Sequence, residues 1–480
     1  MSNLSDLLPA GAGGKQVDFV ATGTLSSGQT VALKTDGTVE AITAIPEAGT
    51  PVVFESASTT HISATFDSTN NKVVIAYQDG GNSYYGTAIV GTVSGTSISF
   101  GTPTVFESGT VYYTSTVYDS TNNRVVIAYT DGGNSLFGTA IVGTVSGTSI
   151  SFGTAVVFES ATSLYDSATF DSTNGKIVIA YRDGGNANYG TAVVGTVSGT
   201  SISFGTAVVF ESAAITSISA TFDSTNNKVV IAYSDAGNSS YGTAIVGTVS
   251  GTAISFGTPV VFASATNSDN SATYDSTNGK VVIAYKDGGN SSFGTAIVGT
   301  VSGTSISFGT AVVFESASTN SISATYDSTS GKVVIAYANV GNSNYGTAIV
   351  GTVSGTAISF GTEVVFESAT STYISAVYDS TNNRVVIAYT DGGNSLFGTG
   401  VIFSLDGSNN TSFIGITDAA ISSAASGSVT IKGGISTNVT GLTANSTYYV
   451  QSDGTLSTAS SSVLAGKALS ATSINLDYTT

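Results

Sequence analysis

The chain has no cysteine and no tryptophan among its 480 residues, one histidine and one methionine. Without cysteine there is no disulfide, no thiolate nucleophile and no cysteine-based zinc site. With His61 as the only histidine, any Ser–His–Asp relay would rest on that residue. Lysine and arginine number 13 against 31 aspartates and glutamates, a net charge of −18. That balance excludes a nucleic-acid surface, which needs clustered cations. No run is long and apolar enough to cross a membrane, and Met1–Gly14 lacks the basic start and apolar core of a secretion signal.

What is abundant is repetition. The marker Phe-Glu-Ser begins at Phe54, Phe106, Phe158, Phe210, Phe314 and Phe366, and at Phe262 as Phe-Ala-Ser. The spacing is 52 residues throughout, without insertion or deletion. A fixed period of this size belongs to a solenoid or a propeller, because one unit cannot bury its own apolar face. Alternating apolar residues and turn signals divide each unit into four strands. In the first copy strand a runs from Ile62 to Phe66, b from Lys72 to Tyr77, c from Tyr85 to Val93 and d from Ser97 to Phe106. Asp67 to Asn71 and the glycine-rich Asp79 to Asn82 supply turns.

The ends of the array distinguish a ring from an open stack. Thr50 to Ser56 is a lone strand d with no a, b or c before it, and the last copy leaves the pattern after c, at Phe403. The first d strand is therefore expected to complete the last unit, which leaves no open sheet edge. The expected fold is all-β, a seven-bladed β-propeller over residues 47–403. A β-hairpin module at 1–46 and a β module at 404–480 flank it. Most of the 23 Tyr and 22 Phe fall at five repeated positions, those of Phe54, Phe66, Tyr77, Tyr85 and Phe100, and are blade packing.

The flanks echo each other. Thr24 to Val39 matches Gly441 to Leu456 without gaps, and both reach Asp-Gly-Thr between alternating residues, a hairpin signal. Isolated hairpins are marginal in water, so these pack on each other, on the ring, on another copy of the chain or on a larger assembly. The stretch FIGITDAAISSAASGSVTIKGG (Phe413 to Gly434), with STYYVQSDGTLSTAS and AGKALSATSINLDY after it, resembles terminal modules of structural proteins from tailed bacteriophages, especially those of marine cyanobacteria. VDFVATGTLSSGQTVALKTDGTV near the N-terminus looks similar to short β modules of such virion proteins. The resemblance lies in the flanks alone. It implies a virion location, as tail fibre or capsid decoration, with other virion proteins as partners, and supplies no catalytic residues.

Inside the ring, catalytic chemistry is scarce. His61 is replaced in the other copies by Tyr113, Tyr165, Ser217, Asp269, Ser321 and Tyr373, so it occupies a variable position. A sialidase-like propeller needs an arginine cluster, but Arg124 and Arg384 merely replace Lys72, which leaves Arg182. The Ser-x-Asp-x-Gly-x-Thr-Trp box of sialidases is missing. No enzyme, cofactor or metal site is expected: Asp67 and Asp79 read as turn residues that bond their own backbone.

Variation falls on one face. The a–b and c–d turns barely change between copies, whereas the d–a segments and the b–c residues do. The diversified face carries His61, Tyr84, Tyr112, Tyr113, Tyr165 and Tyr373 with the cations Arg182 and Lys286, the candidate ligand-binding set. Tyrosine presents a flat apolar ring and a hydroxyl, suited to sugars or protein surfaces. The expected role is host-surface attachment by a non-enzymatic virion protein; the alternatives are decoration without a ligand and a glycan-active enzyme.

Overall fold

The computed structural model describes residues 15–476; the expectation for Met1–Gly14 lies outside them. The chain divides into two compact units, Ala48–Ser404 and the joined flanks Met1–Glu47 with Leu405–Thr480. The repeat array thus forms one unit, within a residue of the expected limits.

Each repeat builds the same four-stranded antiparallel unit. Strand b (Lys72–Asp79) lies between strand a and strand c (Tyr85–Ser94). Its Val73 to Tyr77 are fully buried. Such a run reads as continuously apolar because neighbouring units cover both faces. The core lies between units: Val74, Ala76, Ala88 and Val90 of the first pack against Val125, Ile127, Tyr129 and Ile141 of the second.

The outer and inner strands differ from the sequence expectation. Ser97–Phe100 pairs with the end of c, the chain breaks at Gly101, and pairing with the start of c resumes at Thr104. The break has a steric cause: a Cβ on Gly101 would lie 1.9 Å from the carbonyl oxygen of Thr148, in the next unit's c–d turn. From Thr104 the strand runs unbroken for 16 residues to Asp119. Its first half is the outer strand of one unit and its second half the inner strand of the next. The segments expected as d–a loops are therefore strand.

Closure follows the expected route. Val52–Asp67 pairs with the last c strand, Phe397–Ser408, through Gly400↔Val52, Thr399↔Val53 and Gly398↔Glu55. A second device ties neighbouring inner strands. Ser63 Oγ accepts the N–H of Thr116 at 2.9 Å, and each copy repeats the bond to the next until Ser375 Oγ accepts the N–H of Ala64 at 3.0 Å. Every repeat carries serine there.

The flanks are not two separate modules but one interleaved unit. One sheet runs Gln16–Val20, Ser426–Ile431, Phe413–Thr417, Thr30–Leu33, Val39–Ala41; the other runs Ile435–Ser436, Ser473–Asn475, Leu464–Ser470, Thr447–Val450, Leu456–Ser457. The N-terminal flank supplies three strands of the first sheet and the C-terminal flank two, whereas the second sheet is C-terminal throughout. The two matching hairpins share their turn: Thr38 N–H and Thr455 N–H bond Asp36 Oδ1 and Asp453 Oδ1 at 3.0 and 2.9 Å. They pack on each other, with Thr30 Oγ1 donating to the Gly454 carbonyl at 2.6 Å.

Candidate functional site

The site begins as a flaw in pairing. In each inner strand the register skips two residues, between Thr60 and Ser63 in the first copy, a β-bulge. The first skipped residue adopts a left-handed backbone in all seven copies: His61, Tyr113, Tyr165, Ser217, Asp269, Ser321 and Tyr373 have φ between 48° and 57°. That conformation costs roughly 1–2 kcal/mol for a residue with a Cβ, and glycine would avoid the cost. None of the seven is glycine in a chain holding 57 of them. Side chains are retained there although the backbone disfavours them, as they also are at the b–c turns, where Ser83 and Tyr84 are left-handed in the first copy.

The bulge turns these seven residues and the seven that follow them into one cavity of about 480 Å³, inside the range of about 300–1,000 Å³ usual for small-molecule sites. The second layer is Ile62, Thr114, Asp166, Ile218, Asn270, Ile322 and Ile374.

Sevenfold symmetry is broken in the first layer. Tyr373, His61, Tyr113 and Tyr165, from consecutive copies around the closure, form an arc with successive ring centroids 5.2, 5.2 and 4.8 Å apart. Opposite stand the shorter Ser217, Asp269 and Ser321. Tyr113 N–H donates to His61 Nδ1 at 3.1 Å, which places the ring proton on Nε2. Burial holds the His61 pKa down to about 4, so the ring is neutral near pH 7. Burial also raises the Tyr113 hydroxyl, with Tyr165 adding to the shift.

The second layer carries a buried acid. Asp166 is pushed up to about 7 by burial, which hydrogen bonds from Ser163 and Thr130 only partly offset. Asp269 is raised by burial and lowered by the Lys286 charge.

Of the expected set, His61, Tyr113, Tyr165 and Tyr373 line the cavity, and the other four do not. Tyr112 packs edge-on against His61 at 5.6 Å. Tyr84 stands 55% exposed on the first b–c turn. Arg182 bonds Asn188 Oδ1 at 3.0 Å, and its charge acts on the Tyr113 hydroxyl. Lys286 bonds Asn320 Oδ1 at 2.8 Å. The second layer escaped the sequence reading. Its signal is a polar residue (Thr114, Asp166, Asn270) where four copies place Ile inside a strand.

The uniform face has its own explanation. Asp67 Oδ1 accepts the N–H groups of Thr69 and Asn70, both at 3.0 Å, and Oδ2 accepts from Asn70 Nδ2 at 2.8 Å. Thr69 Oγ1 donates to Asn123 Oδ1 of the next copy at 2.9 Å, and Thr381 Oγ1 to Asn71 Oδ1 across the closure at 2.7 Å. Constancy there is structural, so the contrast between faces alone does not mark a ligand site. Asn70→Ser should leave the thermal midpoint nearly unchanged, because Ser330 makes the equivalent bond to Asp327 Oδ2 at 2.7 Å. Asp67→Ala removes all three bonds and should cost about 2 kcal/mol or more in thermal denaturation. Equal midpoints for the two variants would contradict this account of the turn.

No family model matches the chain, and no curated protein matches it. Among solved structures it is similar to a lectin from Burkholderia pseudomallei, with 9% identity and a TM-score of 0.53 over 72% of this chain and 96% of that one. It is also similar to a β-propeller domain from Myceliophteria thermophila (10% identity, TM-score 0.47, 74% and 99% covered). A leech intramolecular trans-sialidase gives 10% identity and a TM-score of 0.42 over 72% and 68%. By fold, the chain is a β-propeller.

Proposed function

We propose that the protein is a non-enzymatic component of a phage particle that attaches to a host surface through the cavity of its ring. The observation that carries the binding role is the broken symmetry: four aromatic rings held in left-handed bulges around one side of a pocket. The flanking sequences carry the virion location. Their joined fold makes one body, available to hold other virion proteins while the ring presents its cavity. Saccharide is the natural first class of receptor to test, since a lectin shares the fold.

The site gives little support to catalysis. His61 titrates far below neutrality, and a backbone amide occupies its Nδ1. The Asp166 carboxyl is buried and accepts from the Ser163 hydroxyl. Mass spectrometry of purified particles should find the chain, and the purified chain should bind host cells without releasing sugar from their polysaccharides. Absence from particles overturns the virion role; presence without cell binding leaves decoration; released sugar makes it an enzyme.

A further inference from the structure

We infer that the ring binds one uncharged pyranose unit per chain, its C–H face against the aromatic arc and its hydroxyl edge toward Asp269 and the serines opposite. This deepens the attachment role proposed above and rests on it.

The two walls differ in kind. Tyr113, Tyr165 and Tyr373 offer π faces whose negative quadrupole attracts weakly positive C–H bonds, and His61 adds an Nε2–H donor. Across the cavity, Ser217 and Ser321 both donate and accept, and the Asp269 carboxylate accepts. A pyranose has this polarity: one face of C–H bonds and a rim of hydroxyls. An apolar ligand would leave the hydrogen-bonding groups of Asp269 and the serines unmatched wherever it displaced their water.

Charge argues for neutrality. The Lys286 charge partly offsets that of Asp269, whereas Asp166 lies buried with Ser163 Oγ donating to its Oδ1. Near the arc Arg182 Nε bonds Asn188 Oδ1, and the guanidinium is not among the groups that line the cavity. Stoichiometry follows from the layout. The aromatic arc occurs once, because only copies seven, one, two and three carry large rings at the bulge; a site built from the repeat itself would recur around the ring.

Calorimetric titration of the intact chain tests this, with the methyl glycosides of glucose, galactose, mannose and N-acetylglucosamine, beside sialic acid and tetramethylammonium. One neutral glycoside should saturate the chain at one per molecule. Tyr165→Ser and Asp269→Asn should each weaken it at least tenfold, and Tyr84→Ser should not. The serine variant copies Ser217 and Ser321, so its fold has precedent in the same ring. Binding of several sugars per chain, or of sialic acid or tetramethylammonium alone, overturns the inference. If no probe binds but host cells still capture the chain, the saccharide inference fails while the attachment role stands. If neither binds, both fail.

Discussion

Phe54→Ala should destabilise the protein as much as Phe314→Ala, although Phe54 lies before the first complete repeat. Phe314 sits in the middle of the array, with ring centroids 5.1 Å from Tyr337 and 5.7 Å from Phe360. Phe54 has the same neighbours, Tyr77 at 5.2 Å and Phe100 at 5.6 Å. Its ring also covers Gly398 of the last c strand, where a Cβ would come within 2.4 Å of it. Removing a buried phenylalanine costs about 3–5 kcal/mol when the cavity cannot collapse. Both variants should show that loss in denaturant unfolding. An unchanged Phe54→Ala beside a weakened Phe314→Ala would mean that Val52–Glu55 does not close the ring. Deleting residues 1–57 is a blunter test, because it also removes Gln16–Val20, Thr30–Leu33 and Val39–Ala41 from the flanking unit.

The second large effect is pH-dependent. Asp166 is buried in the folded chain with its pKa raised from 3.8 to about 7. A carboxyl whose folded pKa is raised contributes stability that is fully present below its unfolded pKa. That contribution is lost as pH rises through the folded value. The loss therefore runs from about pH 4 to above pH 7, on the order of 4 kcal/mol for a shift of about three units. Asp166→Asn keeps an oxygen for Ser163 and turns an amide N–H toward Thr130 Oγ1, whose proton lies toward the Ser163 carbonyl, but cannot ionise. The variant should be clearly more stable than the parent at pH 8 and no more stable at pH 4. Glu55, Glu211 and Glu315 are shifted the same way in both proteins, so the difference isolates Asp166. Parallel stability curves from pH 4 to 8 would show that Asp166 is not held protonated.

Repeat arithmetic made the ring legible. A lone Thr50–Ser56 at one end and a missing d strand at the other leave one economical pairing, and the chain uses it. The inner serine ring was less visible, because Ser63 reads as an ordinary polar residue in an alternating strand until its neighbour across the blade is known. The first layer of the cavity was legible as the variable position of His61 and its equivalents. Its backbone was not: a segment that changes in every copy reads as a loop, whereas here only the bulge residue is freed from pairing and the strand continues. The same limit explains Tyr84 and Lys286. Variability placed them on one face with His61, but which side chains turn inward is set by the bulge, a feature of three-dimensional register rather than composition. In the flanks the hairpin match foretold two similar turns, yet the sharing of sheets between termini depends on non-local pairing that no local pattern encodes.

The proposed attachment site is the arc of four aromatic bulge residues. Its most direct test replaces His61, Tyr113, Tyr165 and Tyr373 together with serine, which gives each first-layer position the small residue that Ser217 and Ser321 already hold. The quantity to measure is the fraction of purified chain captured by host cells, alongside the thermal midpoint. Anchoring aromatics at binding sites typically contribute 2 kcal/mol or more each, roughly a thirtyfold change in affinity. Capture should fall to background while the midpoint stays near that of the parent. Capture equal to the parent's, in a variant that remains folded, would contradict the account.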